Sequence, residues 1–520
     1  MPTLNWIGKD KVVNHHLDVP FRVLEEQYTY GDNADGNMII HGDNLDALKA
    51  LLPRFEGRVK CIYIDPPYNT GNEGWVYNDN VNDPKIRKWL GKVVGSEGED
   101  LSRHDKWLCM MYPRLKLLYK LLSVDGAIFI SIDDVEVANL KLICNEIFGQ
   151  NNHVATFVWQ KRYSPDARTA ISDAHEFMLC YSPNPEAFKA SRHLLPLTVN
   201  QTKQFSNPDN DPRGPWKADN FTAPGYRPNQ MYEITLPSGR VVTPPEGRCW
   251  RVTKQGFEQF EKDNRMVYGY NGDGAPSVKR FLAEMPGMVP WTWWNHEEVG
   301  HTQEGNKLLT TIFGKVVFDY PKPVRLIERV LQIATDPDSI VLDSFAGSGT
   351  TAHAVLNMNK QDGGHRRFIL VETEDYAENI TAERVRRVIT GYGEGKKAVA
   401  GTGGGFSFYE LGAPLMIDGN LNPDVPEARI REYVYYTETK LPMPPASEAE
   451  PHLLGVHNRA AYYFYYLPDA VTTLNEAFLR TIRTDADSYM IYADINALDE
   501  ATMKRHHITF KKIPRDITLL

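Results

Sequence analysis

The ten residues from Val59 to Tyr68 read Val-Lys-Cys-Ile-Tyr-Ile-Asp-Pro-Pro-Tyr. The first six form a mostly apolar run with the length of a buried strand. Asp65 follows where a parallel strand would open into a ligand crevice, and the prolines after it prevent the strand from continuing. This stretch predicts an α/β sheet with a polar site at the carboxyl end of one strand.

The tetrapeptide Asp65-Pro66-Pro67-Tyr68 has a chemistry that can be derived from its residue types. The Asp65 carboxylate and the Pro66 carbonyl are acceptors that suit the hydrogens of an amine, and the prolines stiffen the geometry of that carbonyl. The Tyr68 ring offers a surface on which a flat base could stack. The alternative is that a strand simply ends in a proline turn beside a tyrosine.

A second signal lies in residues 343–351, Asp-Ser-Phe-Ala-Gly-Ser-Gly-Thr-Thr, which read as a strand end, a glycine turn and a helix start. Glycines in such a turn let the backbone approach a ligand closely, and Glu372 ends the next predicted strand, where ribose hydroxyls are commonly held. No Lys follows the glycines, so the turn is not a Walker loop. The alternative is a tight connection without a ligand.

The pattern along the chain predicts four segments. Residues 1–183 alternate strands and helices, 184–300 are rich in Pro, Gly, Asn and aromatic residues and read as an inserted domain, and 301–400 return to the α/β pattern. The glycine-rich stretch from Gly391 to Gly405 reads as a linker, and residues 401–520 as a linker and small C-terminal α/β domain. The predicted strands Cys61–Ile64 and Ser339–Leu342 are far apart in sequence but can be neighbours in one doubly wound, mostly parallel sheet.

Composition excludes several classes of protein. The 520 residues carry a net charge of −9 and contain no apolar run long enough for a membrane helix. No secretory signal pattern is visible, so we expect a cytoplasmic protein. The five cysteines are widely spaced and predict neither a disulfide framework nor a metal site. The acidic balance argues against a protein coated in cations but not against a local basic cleft for DNA.

At this point the residues support a resemblance. Asp65-Pro66-Pro67-Tyr68 and Phe345-Ala346-Gly347-Ser348-Gly349 resemble the catalytic and cofactor motifs of DNA methyltransferases that modify exocyclic amines. Their order, with the catalytic motif first, resembles the β class, which implies a circularly permuted Rossmann-like sheet with an inserted target-recognition domain. Three further stretches and the C-terminal stretch Phe510 to Asp516 resemble the modification subunits of type III restriction-modification systems: residues 69–75, Arg103 to Leu108, and Glu298 to His301.

The resemblance implies roles for particular residues. Asp65 to Tyr68 would form the methyl-acceptor site, Glu372 would hold the ribose of S-adenosylmethionine, and Asp43 would contact its adenine edge. Lys322 and Pro323 match the segment beside its methionine end. The remaining predicted cofactor contacts all belong to the second signal: Asp343, Phe345, Ala346, Gly347, Ser348, Gly349 and Thr350.

Four basic residues are candidates for contacts with DNA. Lys161 and Arg162 follow a predicted strand and could reach phosphates near an extruded base, or form only a solvated loop. Arg213 and Arg227 lie among aromatic residues of the inserted segment, where base readout is expected. A packing domain with surface arginines is the alternative.

The sequence therefore favours transfer of a methyl group from S-adenosylmethionine to N6 of adenine in duplex DNA, since Asp at the first motif position favours adenine by the same resemblance. Cytosine N4, RNA or a protein glutamine stay open as acceptors, as does a stand-alone methyltransferase. A different class of role, the recognition module of a complex, is compatible with catalysis. The resemblance also implies a homodimer and a separate restriction subunit for cleavage and ATP use, because the chain shows no Walker motif of its own.

Overall fold

The computed structural model describes residues 3–31, 34, 36–69, 88, 91–92, 103–514 and 516–517. The chain divides into two compact units, one of residues 1–193 with 291–520 and one of residues 194–290. The larger unit holds all of the cavity-lining residues described below. The smaller unit lies within residues 184–300, the segment predicted as an insertion, but residues 184–193 and 291–300 of that segment belong to the larger unit.

The larger unit is built on a ten-stranded sheet. Its strands, numbered in chain order within this sheet, are β1 (Arg22–Gly31), β2 (Met38–His41), β3 (Val59–Ile64), β4 (Leu122–Ile132), β5 (His153–Gln160), β6 (His175–Tyr181), β7 (Trp293–Trp294), β8 (Ile340–Asp343), β9 (Arg367–Glu372) and β10 (Gly405–Pro414). Their spatial order is β1-β10-β2-β9-β8-β3-β4-β6-β5-β7. The six strands from β10 to β4 are parallel, β1 and β6 run antiparallel to their neighbours, and β7 is parallel to β5. The predicted Rossmann-like, mostly parallel sheet is confirmed.

The chain leaves β8 and β3 in opposite directions. From β8 it passes through the helix Thr350–Asp362 to β9, whereas from β3 it reaches β4 through the helix Arg103–Leu121. Since β8 and β3 are neighbours, paired at Val341 with Cys61, a crevice opens at their carboxyl ends. In doubly wound sheets this topological switch point is where ligands bind.

Helices cover both faces of the sheet, which is why every residue of β3 is buried. The helix Asn44–Phe55 packs on Arg103–Leu121, and Val324–Ala334 packs on Thr350–Asp362. Further α-helices in the described part of this unit include Lys9–Val12, His15–Asp18, Val137–Phe148, Pro185–Ser191, His296–Val299, Thr302–Phe313, Glu383–Thr390, Glu427–Thr439, Glu476–Leu479 and Glu500–Arg505. A π-helix, Ala377–Ala382, precedes Glu383–Thr390.

The C-terminal segment contributes to the large sheet and also has a sheet of its own. Its strands Leu453–His457, Ala460–Phe464, Ser488–Ala493 and Ile508–Lys512 are adjacent in that order, and Glu427–Thr439 packs on the first two. The prediction placed everything after residue 400 outside the large sheet, but β10 lies between β1 and β2. The glycine-rich stretch hid this strand, because it reads as a linker in sequence.

The smaller unit has its own apolar core, formed by Phe221, Ile234, Leu236, Trp250, Phe257, Met266 and Val278. Its main sheet is antiparallel, with Ser277–Phe281 between Met266–Val267 and Trp216–Asn220. Two short antiparallel pairs join Ile234–Thr235 with Val241–Val242, and Thr222–Pro224 with Arg248–Trp250. Its helices are Val199–Thr202 and Lys254–Lys262. Near its two ends, Leu195 and Met288 exchange backbone hydrogen bonds of 2.9 and 2.8 Å.

No helix in the described part of the chain combines the length and the apolar character needed to cross a membrane.

Candidate active site

A cavity of about 750 Å³ opens at the carboxyl ends of β3 and β8. Both sequence signals face it. The predicted site residues that line it are Asp65, Pro66, Tyr68, Lys161, Arg162, Lys322, Asp343, Phe345, Ala346, Gly347, Ser348 and Thr350. Pro67, Pro323, Gly349, Glu372 and Asp43 are not part of its lining.

The turn from Asp65 to Tyr68, which we call the acceptor turn after its predicted role, is fixed by a hydrogen bond from a neighbouring helix. β3 ends at Ile64, and the indole nitrogen of Trp107 donates a 2.6 Å hydrogen bond to the carbonyl of Pro67. Trp107 is fully buried on the helix Arg103–Leu121. The two prolines restrict their own φ angles, and the hydrogen bond from Trp107 fixes the Pro67 carbonyl against the helix Arg103–Leu121. The Asp65 carboxylate therefore has a defined position.

Asp65 is the centre of a polar cluster. The Lys322 ammonium lies 2.9 and 2.8 Å from its two carboxylate oxygens, and the Tyr68 hydroxyl donates to Oδ1 at 2.7 Å. The resemblance placed Lys322 beside the methionine end of the cofactor. In the structure its ammonium contacts the Asp65 carboxylate, and its contact with a cofactor stays a prediction. Only the fold brings Lys322 next to Asp65, because 257 positions separate the two residues in sequence.

Glu176 is a member of this cluster that the sequence analysis missed. It is buried near the start of β6, with Oε2 3.2 Å from the Tyr68 hydroxyl and 3.6 Å from the Lys322 ammonium. Its Oε1 lies 3.5 Å from the ammonium of Lys161. A lone acidic residue at the start of an apolar strand was the only signal in sequence, and it acquires meaning only once β6 is known to lie beside β4.

The carboxylates of the cluster raise the pKa values of Lys322 and Tyr68. Burial lowers the pKa of Lys322, but the Asp65 and Glu176 carboxylates raise it by more, so the pKa lies above its ordinary value and the ammonium stays charged. Desolvation raises the pKa of the Tyr68 phenol well above its usual range, and the same carboxylates raise it further. Tyr68 therefore remains a hydrogen-bond donor.

The glycine turn after β8 is shaped by contacts from the π-helix and the helix after it. Gly347 and Gly349 have φ of 52° and 79°, the left-handed region that favours glycine. Thr381 donates to the Gly347 carbonyl at 2.6 Å, and the fully buried Arg384 donates to the hydroxyls of Ser348 and Thr350 at 2.8 Å. No role was assigned to Thr381 or Arg384 in the sequence analysis.

Two buried carboxylates lie under this turn. Glu372 accepts backbone hydrogen bonds from Gly347 at 2.7 Å and from Glu374 at 2.9 Å. Asp343 accepts from the Thr351 hydroxyl and from the backbone of Phe345. Burial raises the pKa of Glu372 to about 8 and that of Asp343 to about 7.

The raised pKa of Glu372 predicts a pH-dependent stability. Between its ordinary pKa of 4.5 and about 8 the unfolded chain loses a proton that the folded chain keeps, so this carboxyl lowers stability as the pH rises through that interval. We expect the melting temperature of Glu372→Gln, relative to that of the unmodified chain, to rise by a few degrees from pH 5 to pH 8.5, at roughly 1 °C per kcal/mol for a chain of 520 residues. The exposed Glu186→Gln is the control, and an equal change in both variants would contradict the prediction.

Asp43 lies at the carboxyl end of β2, where it caps the helix Asn44–Phe55 by accepting from the backbone of Leu45 and Asp46. The Arg114 guanidinium lies 3.4 Å from its other oxygen. The structure thus gives Asp43 a helix-capping contact; its contact with a cofactor stays a prediction.

The four residues predicted to contact DNA differ in their surroundings. The Lys161 ammonium is 2.6 Å from Asp173, beside the cavity that Arg162 also lines. In the smaller unit Arg213 pairs with Asp211 at 2.7 Å and stacks on Phe281, whereas the exposed Arg227 contacts Gln230. Their DNA contacts stay predictions, as does any role for residues 70–75, which lie outside the described residues.

Comparison with known proteins agrees with this geometry. The sequence pattern of the DNA methylase family matches residues 59–383, which is more than half of the chain. The Mod subunit of the type III restriction-modification enzyme StyLTI from Salmonella typhimurium is 35% identical over 401 residues, covering 73% of this chain and 59% of that protein. The EcoPI Mod subunit of Escherichia phage P1 is 31% identical and is covered to 64%. The match thus spans about three fifths of the length of these two relatives.

A third relative is covered more completely. The type II methyltransferase M.KpnI of Klebsiella pneumoniae is 31% identical over 363 residues, which are 66% of this chain and 81% of that protein. The region matched by the family pattern contains the Asp65 turn, the glycine turn after β8 and the two neighbouring strands, β3 and β8, that carry these turns. On these grounds the chain belongs to the DNA methylase family.

Proposed function

We propose that the chain transfers a methyl group from S-adenosylmethionine to N6 of adenine in duplex DNA, as the modification and recognition subunit of a type III restriction-modification system. The observation that carries the proposal is that the Asp65 turn and the glycine turn face one cavity of about 750 Å³. An amine acceptor site and a nucleoside-binding turn on neighbouring strands hold the two reactants of a methyl transfer side by side.

The residues around the glycine turn fit S-adenosylmethionine. A Cβ added to Gly347 would lie 3.3 Å from the Phe318 ring, so there is little space for a side chain at this position. The backbone of Gly347 itself lines the cavity. Phe345 and Ala346 give the lining an apolar side suited to a base, and buried Glu372 fixes the backbone of Gly347. These residues would hold the nucleoside part of the cofactor, which when bound supplies an electrophilic methyl group.

The acceptor turn supplies the complementary half of the chemistry. Asp65 and the Pro66 carbonyl would accept the amine hydrogens and thereby direct the nitrogen lone pair toward the methyl group, while Tyr68 stacks on the extruded base. The nitrogen forms a bond to carbon as the carbon–sulfur bond breaks, the bonding pair stays on sulfur, and the amine loses a proton to solvent. No covalent intermediate with the protein is required.

The choice of adenine rests on Asp65, because this residue type at the first motif position favours adenine over cytosine in the family that the chain resembles. The type III assignment is supported by the Mod subunits of the StyLTI and EcoPI enzymes. With it we propose a homodimer, duplex DNA as substrate, a restriction subunit as partner, and residues 184–300, including Arg213 and Arg227, as the target-recognition segment.

A second candidate is a stand-alone type II methyltransferase. It is favoured by M.KpnI, which this chain covers to 81%, further than it covers the Mod subunits. Both candidates share the reaction and differ in whether a restriction subunit binds.

The first experiment incubates the purified chain with methyl-labelled S-adenosylmethionine and mixed-sequence duplex DNA, and identifies the labelled nucleoside after digestion. We expect N6-methyladenine. Label in N4-methylcytosine would overturn the acceptor and keep the reaction, and DNA without label in the presence of measurable cofactor binding would overturn the proposed substrate.

A further inference from the structure

We infer that Asp65 and Lys322 together read the amidine edge of the extruded base, with Asp65 accepting from the amine and Lys322 donating to the adjacent ring nitrogen. This rests on the proposed function and adds to it a residue that selects the class of base. The juxtaposition that carries it is an acceptor and a donor 2.8–2.9 Å apart, both lining the cavity.

The pairing is complementary to only some bases. Adenine presents an amine hydrogen beside an unprotonated ring nitrogen, and cytosine presents the same edge. Guanine and thymine present a carbonyl oxygen beside a ring N–H. Against Asp65 and Lys322 a keto base would thus place oxygen next to carboxylate and N–H next to ammonium, and buried polar groups left unpaired in this way are strongly rejected.

Lys322 has the donors that this role needs. An ammonium carries three N–H groups, which face the two oxygens of Asp65 and one oxygen of Glu176. A base whose amine binds one Asp65 oxygen would replace the ammonium there and would receive the N–H group that this oxygen had accepted. The side chain is one-tenth exposed, so a hydrogen bond from it is made in a site largely shielded from water. The neighbouring Glu176 carboxylate also keeps the ammonium from moving away from the cavity.

The backbone of Lys322 is also fixed. It lies between Pro321 and Pro323, which restrict the chain on both sides, and Pro321 packs so closely on Gly305 that a Cβ there would overlap its carbonyl. The Thr350 hydroxyl donates to the Lys322 carbonyl at 3.4 Å. Because Thr350 starts the helix that follows the glycine turn, this contact connects the base-reading lysine to the cofactor side of the cavity.

The position of Tyr68 completes the argument. The Lys322 ammonium lies 4.9 Å from the centre of the Tyr68 ring. When a base stacks on this ring and donates an amine hydrogen to Asp65, the ring nitrogen beside the amine lies next to the Lys322 ammonium. Asp65 then accepts the amine hydrogen on the ring-nitrogen side, which leaves the Pro66 carbonyl for the other hydrogen.

The methylated position is first identified by nucleoside and sequence analysis of DNA that the chain has modified. The test then compares duplexes that carry adenine or 1-deazaadenine at this position. In 1-deazaadenine a C–H group replaces the ring nitrogen that Lys322 would contact. The position opposite is abasic, so that no base pair is gained or lost. Dissociation constants are measured by fluorescence anisotropy with sinefungin, a non-reactive analogue of the cofactor, present.

We expect the unmodified chain to bind the adenine duplex roughly 10- to 100-fold more tightly than the 1-deazaadenine duplex, as for a hydrogen bond to a charged donor. In Lys322→Met this ratio should fall to about one, whereas Lys161→Met, which removes a neighbouring ammonium that pairs with Glu176, should keep it. 7-Deazaadenine, which retains the contacted nitrogen, should give the same ratio in all three proteins.

Equal affinity of the unmodified chain for the two duplexes would overturn the inference without any variant. A full penalty retained in Lys322→Met would overturn it as well. Either result with N6-methyladenine still formed leaves the proposed function intact, whereas absence of methylation by the unmodified chain is a failure of the proposed function itself.

Discussion

Asp65→Ala is expected to reduce methyl transfer by roughly a thousandfold, the scale associated with removing a group that is positioned against the reacting centre. The variant loses the amine acceptor and also leaves the Lys322 ammonium without its 2.8 Å partner. Affinity for S-adenosylmethionine should change little, because the glycine turn is held by Thr381, Arg384 and Glu372 and not by Asp65. Single-turnover rates and calorimetric cofactor binding measure the two quantities separately.

A matched control lies near the opposite end of β3. Lys60, near the start of β3, forms a 2.6 Å ion pair with Asp125 of β4. Asp125→Ala breaks a lysine–aspartate pair of similar length away from the cavity, so it should retain transfer. Turnover by Asp65→Ala at the rate of the unmodified chain would rule out the assigned role.

Gly347→Leu is expected to weaken cofactor binding by about a hundredfold or more. The residue has φ of 52°, and its added Cβ would be 3.3 Å from the Phe318 ring, so a branched side chain must displace the turn or enter the cavity. Gly363→Leu is the control, since it has the same left-handed backbone, with φ of 72°, but nothing within 4 Å of an added Cβ. Calorimetry that gave the same affinity for both variants would contradict the placement of the cofactor.

The central part of the fold could be predicted from sequence because its signals are local. β3 coincides with the predicted strand, and the apolar run that defines it is bounded by Asp65 and two prolines. The switch point followed from two strand ends that each carried a site motif. In contrast, β1 and β10 were not predicted. β1 is a largely polar and exposed strand at the edge of the sheet, and β10 follows a glycine-rich stretch.

The candidate site was predicted as two motifs but not as a cluster. Asp65, Tyr68 and Gly347 belong to recognisable local patterns, whereas Glu176, Arg384 and the contact of Lys322 with Asp65 depend on which strands are neighbours. No spacing rule connects positions that lie 257 residues apart. The contacts that set the charges of the site are therefore the part that required a three-dimensional structure.

The reciprocal hydrogen bonds between Leu195 and Met288 have an evolutionary consequence. They bring the two ends of residues 194–290 together, and the unit between them has its own apolar core. Segments with closed ends tolerate replacement and changes of length better than segments woven through a sheet. Under the proposed function, closed ends would let recombination exchange the recognition segment as one piece, so that a lineage could acquire new target sequences while the residues proposed for methyl transfer stay unchanged.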